Sequence, residues 1–162
     1  MFEISNNNKM TEIIKGLFVG DMNSVYTGFQ NVVNCATELT NFSNRPKGHY
    51  LRIDLNDSGD KIDTETFEES IEHFVASRAD QMVVFVETAL GRGETVLIHC
   101  YMGISRSCSV AAAFLLSQDI TLTVDEAIDF IISKKPNAFD GGNSLIYYPS
   151  LQLLYPGDQI ET

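Results

Sequence analysis

The run 95-TVLIHCYMGISRSCSVAAAFLLSQ-118 decides the fold. Its first part, TVLIHC (95–100), is a short apolar run with the length and branching of a buried strand. Gly103 interrupts it. SRSCSVAAAFLLSQ then continues as an alanine- and leucine-rich run of helical length. A strand passing through a tight glycine-containing turn into a helix is a building unit of α/β domains. In open α/β sheets, ligands gather beyond the carboxyl ends of the strands, and Cys100 stands at such an end.

The rest of the chain alternates in the same way. TEIIKGLFVG (11–20) reads as two short strands punctuated by Gly16 and Gly20, NVVNCA (31–36) as a third, and YLRIDL (50–55) as a fourth. Between them, the polar segment from Asn41 to Gly48, with Pro46, reads as loop, and so does NDSGDKID (56–63). From Thr64 to Leu90 the apolar residues recur at three- and four-residue steps, and Thr66 with Glu69 offers a capping box. That stretch is long for one helix, so a break near Ser77 to Asp80 is expected before Gly91 and Gly93 end it. Thr123 with Glu126 offers a second capping box, opening VDEAIDFIISKK before Pro136. NSLIYYPSLQLL (143–154) is a weaker helical pattern, interrupted by Pro149. The whole reads as an α/β single domain around one central, mixed or mostly parallel sheet.

Composition narrows the function. The 162 residues are 44% apolar and 20% charged, which suits one soluble globular domain. The net charge of −11, from 22 acidic and 11 basic residues, repels polyanions and disfavours nucleic-acid binding. No apolar run reaches the length of a membrane span. The opening MFEISNNNKM has neither a basic-then-apolar order nor a cleavage pattern, so no secretory or transit signal is expected. Cys35, Cys100 and Cys108 are odd in number and irregularly spaced, which points to a reducing intracellular setting, cytoplasmic or nuclear. No metal-ligand spacing occurs, and no cofactor is called for.

The turn at Cys100 has its own chemistry. The first N–H groups of a helix have no intrahelical partner, and a turn that curls them inward cradles an anion. Gly103 supplies backbone freedom, and Arg106 a planar fork for two phosphate oxygens. A free thiol is mostly protonated at neutral pH, but a helix N-terminus with an arginine lowers its pKa to about 3.5–7.5 in known cases. Cysteine is also a common core residue, so an isolated strand-end cysteine is structural by default. Here His99, Cys100, Gly103, Arg106 and Ser107 occur together between an apolar strand and an apolar helix, which outweighs that default.

HCYMGISRS (99–107) resembles the His-Cys-x-x-Gly-x-x-Arg-Ser signature of protein tyrosine phosphatases, and the chain resembles their dual-specificity subfamily. The likeness extends through IIKGLFVGD, NVVNCATE, YLRIDLNDS and VDEAIDFIISKKP, over roughly residues 11 to 154. It implies an about five-stranded sheet flanked by helices. Residues 1–10 would be an extension, 11–156 the catalytic domain and 157–162 a tail. It implies that Cys100 is the nucleophile, forming a cysteinyl-phosphate that water hydrolyses. The N–H groups of Tyr101, Met102, Gly103, Ile104, Ser105 and Arg106, with the Arg106 side chain, would bind phosphate; sulfate or vanadate could occupy the same loop. Ser107 would hydrogen-bond Cys100, and His99 would orient the loop.

A general acid must protonate the leaving oxygen. Asp54, Asp57 and Asp60 compete for that role. Asp54 reads as still within the strand, whereas Asp57 opens a loop that can swing over the pocket. The family's spacing of an aromatic, Ile and Asp puts Tyr50, Ile53 and Asp57 in register and favours Asp57. An Asx-turn is the bland alternative for Asp57 and Asp60 alike. One departure stands out: the interval from Asp57 to Cys100 is about ten residues longer than in compact relatives, the excess falling in 64–91. Some relatives pair the nucleophile with a second cysteine on oxidation; Cys35 and Cys108 are candidates, with core packing the default for both. Lys134 and Lys135 stand where many relatives place a substrate-selecting arginine, and read here as a solvated helix end.

The loop's variable residues, Tyr101, Met102, Ile104 and Ser105, include no base. Phosphatases of inositol phospholipids tend to carry lysines there, so a phosphoprotein is the favoured substrate over a phosphoinositide or an RNA 5′-triphosphate. A non-catalytic phosphate-binding module normally loses the cysteine or arginine, and both are present. A sulfurtransferase shares the strand-end cysteine, but the Arg-Ser ending favours phosphoryl chemistry.

Overall fold

The computed structural model describes residues 10–24, 28–36, 48–55, 79–101, 105–139 and 148–155. Five strands, β1 (Met10–Ile14), β2 (Leu17–Gly20), β3 (Asn31–Ala36), β4 (Tyr50–Leu55) and β5 (Val96–His99), form one sheet in the order β1-β2-β5-β3-β4. β1 runs antiparallel to β2, and every other pairing is parallel. The described helices are α1 (Ala79–Gly91), α2 (Arg106–Gln118), α3 (Val124–Lys134) and α4 (Tyr148–Leu154). This is a single α/β domain on a five-stranded, mostly parallel sheet.

Local chemistry explains the elements. β1 and β2 meet through Lys15-Gly16, where Gly16 adopts φ +87 and its N–H donates to Glu12 Oε2 at 2.9 Å. A Cβ there would meet Leu90 Cδ2 at 3.0 Å, so the position calls for glycine on two counts. α3 opens on the expected capping box: Glu126 N–H donates to Thr123 Oγ1, and Thr123 N–H to Glu126 Oε1. Of the weak helical pattern at 143–154, residues 148–154 form α4, which contains Pro149 rather than being interrupted by it; residues 143–147 lie outside the described residues. The Thr66–Glu69 capping box and the break expected near Ser77 lie outside the described residues, apart from Ala79 and Asp80 at the start of α1.

Alternation along the strands divides the core. Leu17, Val19, Val33, Cys35, Ile53, Val96, Ile98 and Cys100 share a face with apolar residues of all four helices, among them Met82, Val86, Ala112, Ile131 and Leu151. Phe18, Val32 and Leu97 face the other way and pack with Met10, Phe29 and Tyr50. β5 is buried on both faces because Val96 and Ile98 pack into the helix-side cluster and Leu97 into the opposite one, and its unbroken apolar run is the expected result. No described helix is long and apolar enough to cross a membrane.

Candidate active site

Cys100 directly follows β5, and Arg106 is the first residue of α2. Between them, Tyr101 and Ser105 are described, whereas Met102, Gly103 and Ile104 lie outside the described residues, as do Asp57 and Asp60. Asp54 belongs to β4, as its place in the strand run predicts, and its side chain also lies outside the described set.

The parallel register aligns the site. Cys100 N–H donates to Gly20 O at 3.3 Å, extending the β2–β5 ladder by one residue. One step further, Met22 N–H donates to Tyr101 O at 3.1 Å. The turn after β2 is thus fastened beside the loop after β5. That turn is held by Asp21 Oδ1, which accepts from Asn23 N–H, Ser24 N–H and Ser24 Oγ. Sequence reasoning missed this wall of the site. Asp-Met-Asn-Ser shows turn chemistry, but only the strand pairing places the turn against the loop.

The thiol itself is nearly enclosed, with Cys100 only 2% exposed, whereas the neighbouring Tyr101 is 44% exposed. The Cys100 thiol donates to Ser107 Oγ at 3.3 Å. Arg106 is buried at 2%, and His99 is buried on the sheet face opposite Cys100 by strand alternation. The register Asn34↔His99 makes Cys35 the next neighbour of Cys100 across the β3–β5 pair. Neighbouring strands lie about 4.8 Å apart.

All three cysteines are buried and unbridged. Burial pushes the Cys35 thiol well above its ordinary value; Cys100 adds to the rise and Arg106 opposes it. Burial likewise pushes Cys108 up to about 12, again with Cys100 adding to it, while Lys135 and a hydrogen bond with Ser107 act against it. Cys35 and Cys108 are therefore held neutral in the same buried cluster as Cys100.

The α2 N-terminus suits an anion. Ser105 occupies its N-cap without a side-chain capping bond, and the first turn carries no acidic residue. By contrast, α3 has its cap filled by Thr123 and two carboxylates, Asp125 and Glu126, in its first turn. Of the two helices, only α2 leaves its dipole and first N–H groups uncompensated by its own acidic chains. Lys134 is exposed with its ammonium 5.4 Å over the Phe130 ring, as a solvated helix end would be. Lys135 contradicts that reading, being 2% exposed. It is the cap residue of α3, with an extended backbone at φ −134 and ψ 91. Among the described residues, no group of histidine, cysteine, aspartate and glutamate is arranged to hold a metal.

Comparison with known proteins places this arrangement in a family. Residues 20–144 match the model described as "Dual specificity phosphatase, catalytic domain". The chain is 30% identical over 142 residues to human dual specificity protein phosphatase 16, covering 83% of this chain and 19% of that protein. It is 40% identical over 62 residues to mouse dual specificity protein phosphatase 12, covering 38% and 18%. In fold it resembles the crystal structure of human DUSP28, with a TM-score of 0.65 at 20% identity, covering 96% of this chain and 97% of that one. The chain belongs to the dual specificity phosphatase family and carries its catalytic domain. It spans about a fifth to a quarter of the length of the curated relatives it matches first.

Proposed function

We propose that this protein is a dual-specificity phosphatase hydrolysing phosphotyrosine and phosphoserine or phosphothreonine esters of proteins. One observation carries the reading: the Cys100 thiol lies against Ser107 Oγ at the N-terminus of a helix whose first turn carries no acidic residue. The Cys100 thiolate attacks phosphorus, and the bond to the ester oxygen breaks as Asp57 protonates that oxygen. Water then attacks the cysteinyl-phosphate, Asp57 takes its proton, and the sulfur–phosphorus bond breaks to release inorganic phosphate. Arg106 and the loop N–H groups hold the equatorial oxygens throughout. Ser107 stabilises the departing thiolate, reversing the direction of its hydrogen bond.

The net charge of −11 and the non-basic loop residues Tyr101, Met102, Ile104 and Ser105 favour a phosphoprotein over polyanionic RNA or an inositol phospholipid. Three reduced thiols suit an intracellular, reducing compartment. The test is hydrolysis of p-nitrophenyl phosphate and phosphopeptides in the presence of EDTA. Turnover should persist with the chelator, stop with vanadate and be absent in Cys100→Ser. EDTA-sensitive turnover, or activity in that variant, would contradict the mechanism. Phosphate release from triphosphate RNA in preference to phosphopeptide would reassign the substrate.

A further inference from the structure

α2 begins at the catalytic loop, and its other end opens on a second feature of the surface. The helix runs from Arg106 to Gln118, so about 18 Å separates the two ends. Beyond it lies a groove of about 390 Å³ between the end of α2, the turn into α3 and the end of α4. Its walls are the apolar Leu116, Ile120, Leu122, Leu154 and Tyr155, with Ser117 and Asp119 as the polar members. Ile120 is 71% exposed and Leu154 40%, so this apolar surface faces water. Exposed aliphatic side chains scattered singly mean little, whereas several around one groove mark a binding surface.

The charge at this groove is negative and uncompensated. Asp119 is the C-cap residue of α2, where the helix dipole already presents its negative end. A cation suits that position, yet the last turns of α2 and α4 carry no basic residue. Thr121 donates its hydroxyl and its N–H to Asp119 Oδ1, at 2.6 and 2.9 Å. These bonds hold the carboxyl below the usual carboxylate range and leave Oδ2 to accept from an incoming donor. Gln118 Nε2 donates to both Ser117 Oγ and Glu87 Oε2, at 3.1 Å each, which brings the α1 carboxylate to the Ser117 side of the groove. Among the described residues, no salt bridge reaches Asp119 or Glu87.

We propose that this groove docks a short segment of a partner protein that combines an aliphatic side chain with flanking lysine or arginine. The aliphatic chain sits against Ile120, Leu122 and Leu154, and the cations face Asp119 and Glu87. Charge complementarity selects this occupant over the alternatives. A second copy of the chain would bring a net charge of −11 and, across a twofold axis, the same carboxylates. The chain's own last seven residues, PGDQIET, contribute two acids and no base. The groove stands at the opposite end of α2 from the catalytic loop, and the inference does not depend on the reaction at Cys100.

The experiment selects displayed random peptides on the intact protein in low salt and titrates a labelled winner by fluorescence anisotropy. Enriched peptides should carry lysine or arginine beside an aliphatic residue. Ile120→Ser should weaken binding by about tenfold. Asp119→Asn combined with Glu87→Gln should also weaken it by about tenfold in low salt, the deficit shrinking in high salt where exposed charges are screened. Asparagine keeps the Oδ1 acceptor for Thr121, so this pair removes charge and leaves the turn its bonds. All three positions are exposed, and circular dichroism confirms that each variant folds. Enrichment of peptides without bases, no enrichment at all, or equal affinity across the variants would overturn the proposal. So would self-association that Ile120→Ser abolishes, which assigns the groove to a second copy. A gain in peptide affinity in Ile160→Ser would assign it to the chain's own tail and overturn the proposal equally.

Discussion

Cys100, Cys35 and Cys108 are the same residue type in one buried cluster, yet their surroundings divide their roles. Cys100 follows β5 beside Ser107 at the N-terminus of α2, whereas Cys35 and Cys108 lie in apolar packing that keeps them protonated. Cys100 was legible as the candidate nucleophile because Ser107, its hydrogen-bond partner in space, is also close to it in sequence. Lys135 was not legible, because Lys-Lys-Pro reads alike for both lysines. The structure separates them: Lys134 is exposed over Phe130, and Lys135 is buried at the cap of α3. The choice of general acid also belongs at this scale. Asp57→Asn should lower kcat strongly, by about 100-fold or more, and abolish the basic limb of the pH–rate profile, because that limb reports loss of the acid's proton. An unchanged limb would transfer the role to Asp54.

The elements follow from local patterns, and their arrangement does not. NVVNCA and YLRIDL form strands with the boundaries their composition sets, and Thr123 with Glu126 starts α3 where its capping pattern lies. The order β1-β2-β5-β3-β4 has no local signal, since parallel pairing is chosen by long-range burial of both sheet faces. That order is what brings the Asp21 turn and Cys35 beside Cys100. Because the α3 cap lies away from the loop in sequence, it offers a clean stability test. Thr123→Ala removes the bond from Glu126 N–H and should cost about 1 kcal/mol, lowering the thermal midpoint by about 3 °C. Activity at room temperature should be retained; a midpoint equal to wild type would show that the cap contributes nothing.

Across the whole molecule, an acidic chain encloses thiols whose protonation is tied to folding. Burial raises Cys108 to about 12 in the folded state. Below the ordinary thiol range, folded and unfolded chains both keep that proton, and the contribution to stability is complete. As pH rises through that range, the unfolded chain sheds the proton while the folded chain retains it, so stability falls progressively up to about 12. Each such thiol contributes a slope approaching about 1.4 kcal/mol per pH unit. Urea midpoints measured from neutral to alkaline pH should therefore decline, and Cys108→Ala should decline less steeply. Parallel decline in the two proteins would mean that Cys108 is not protonation-linked to folding.

The central claim is that Cys100 accepts the phosphoryl group, and rapid quenching during turnover of a phosphopeptide tests it most directly. Mass spectrometry of the acid-quenched protein should find phosphate on the peptide containing Cys100, and more of it in Ser107→Ala, where breakdown of the intermediate is slowed. Turnover with phosphate on another residue, or with no phosphoenzyme even in Ser107→Ala, would contradict the account.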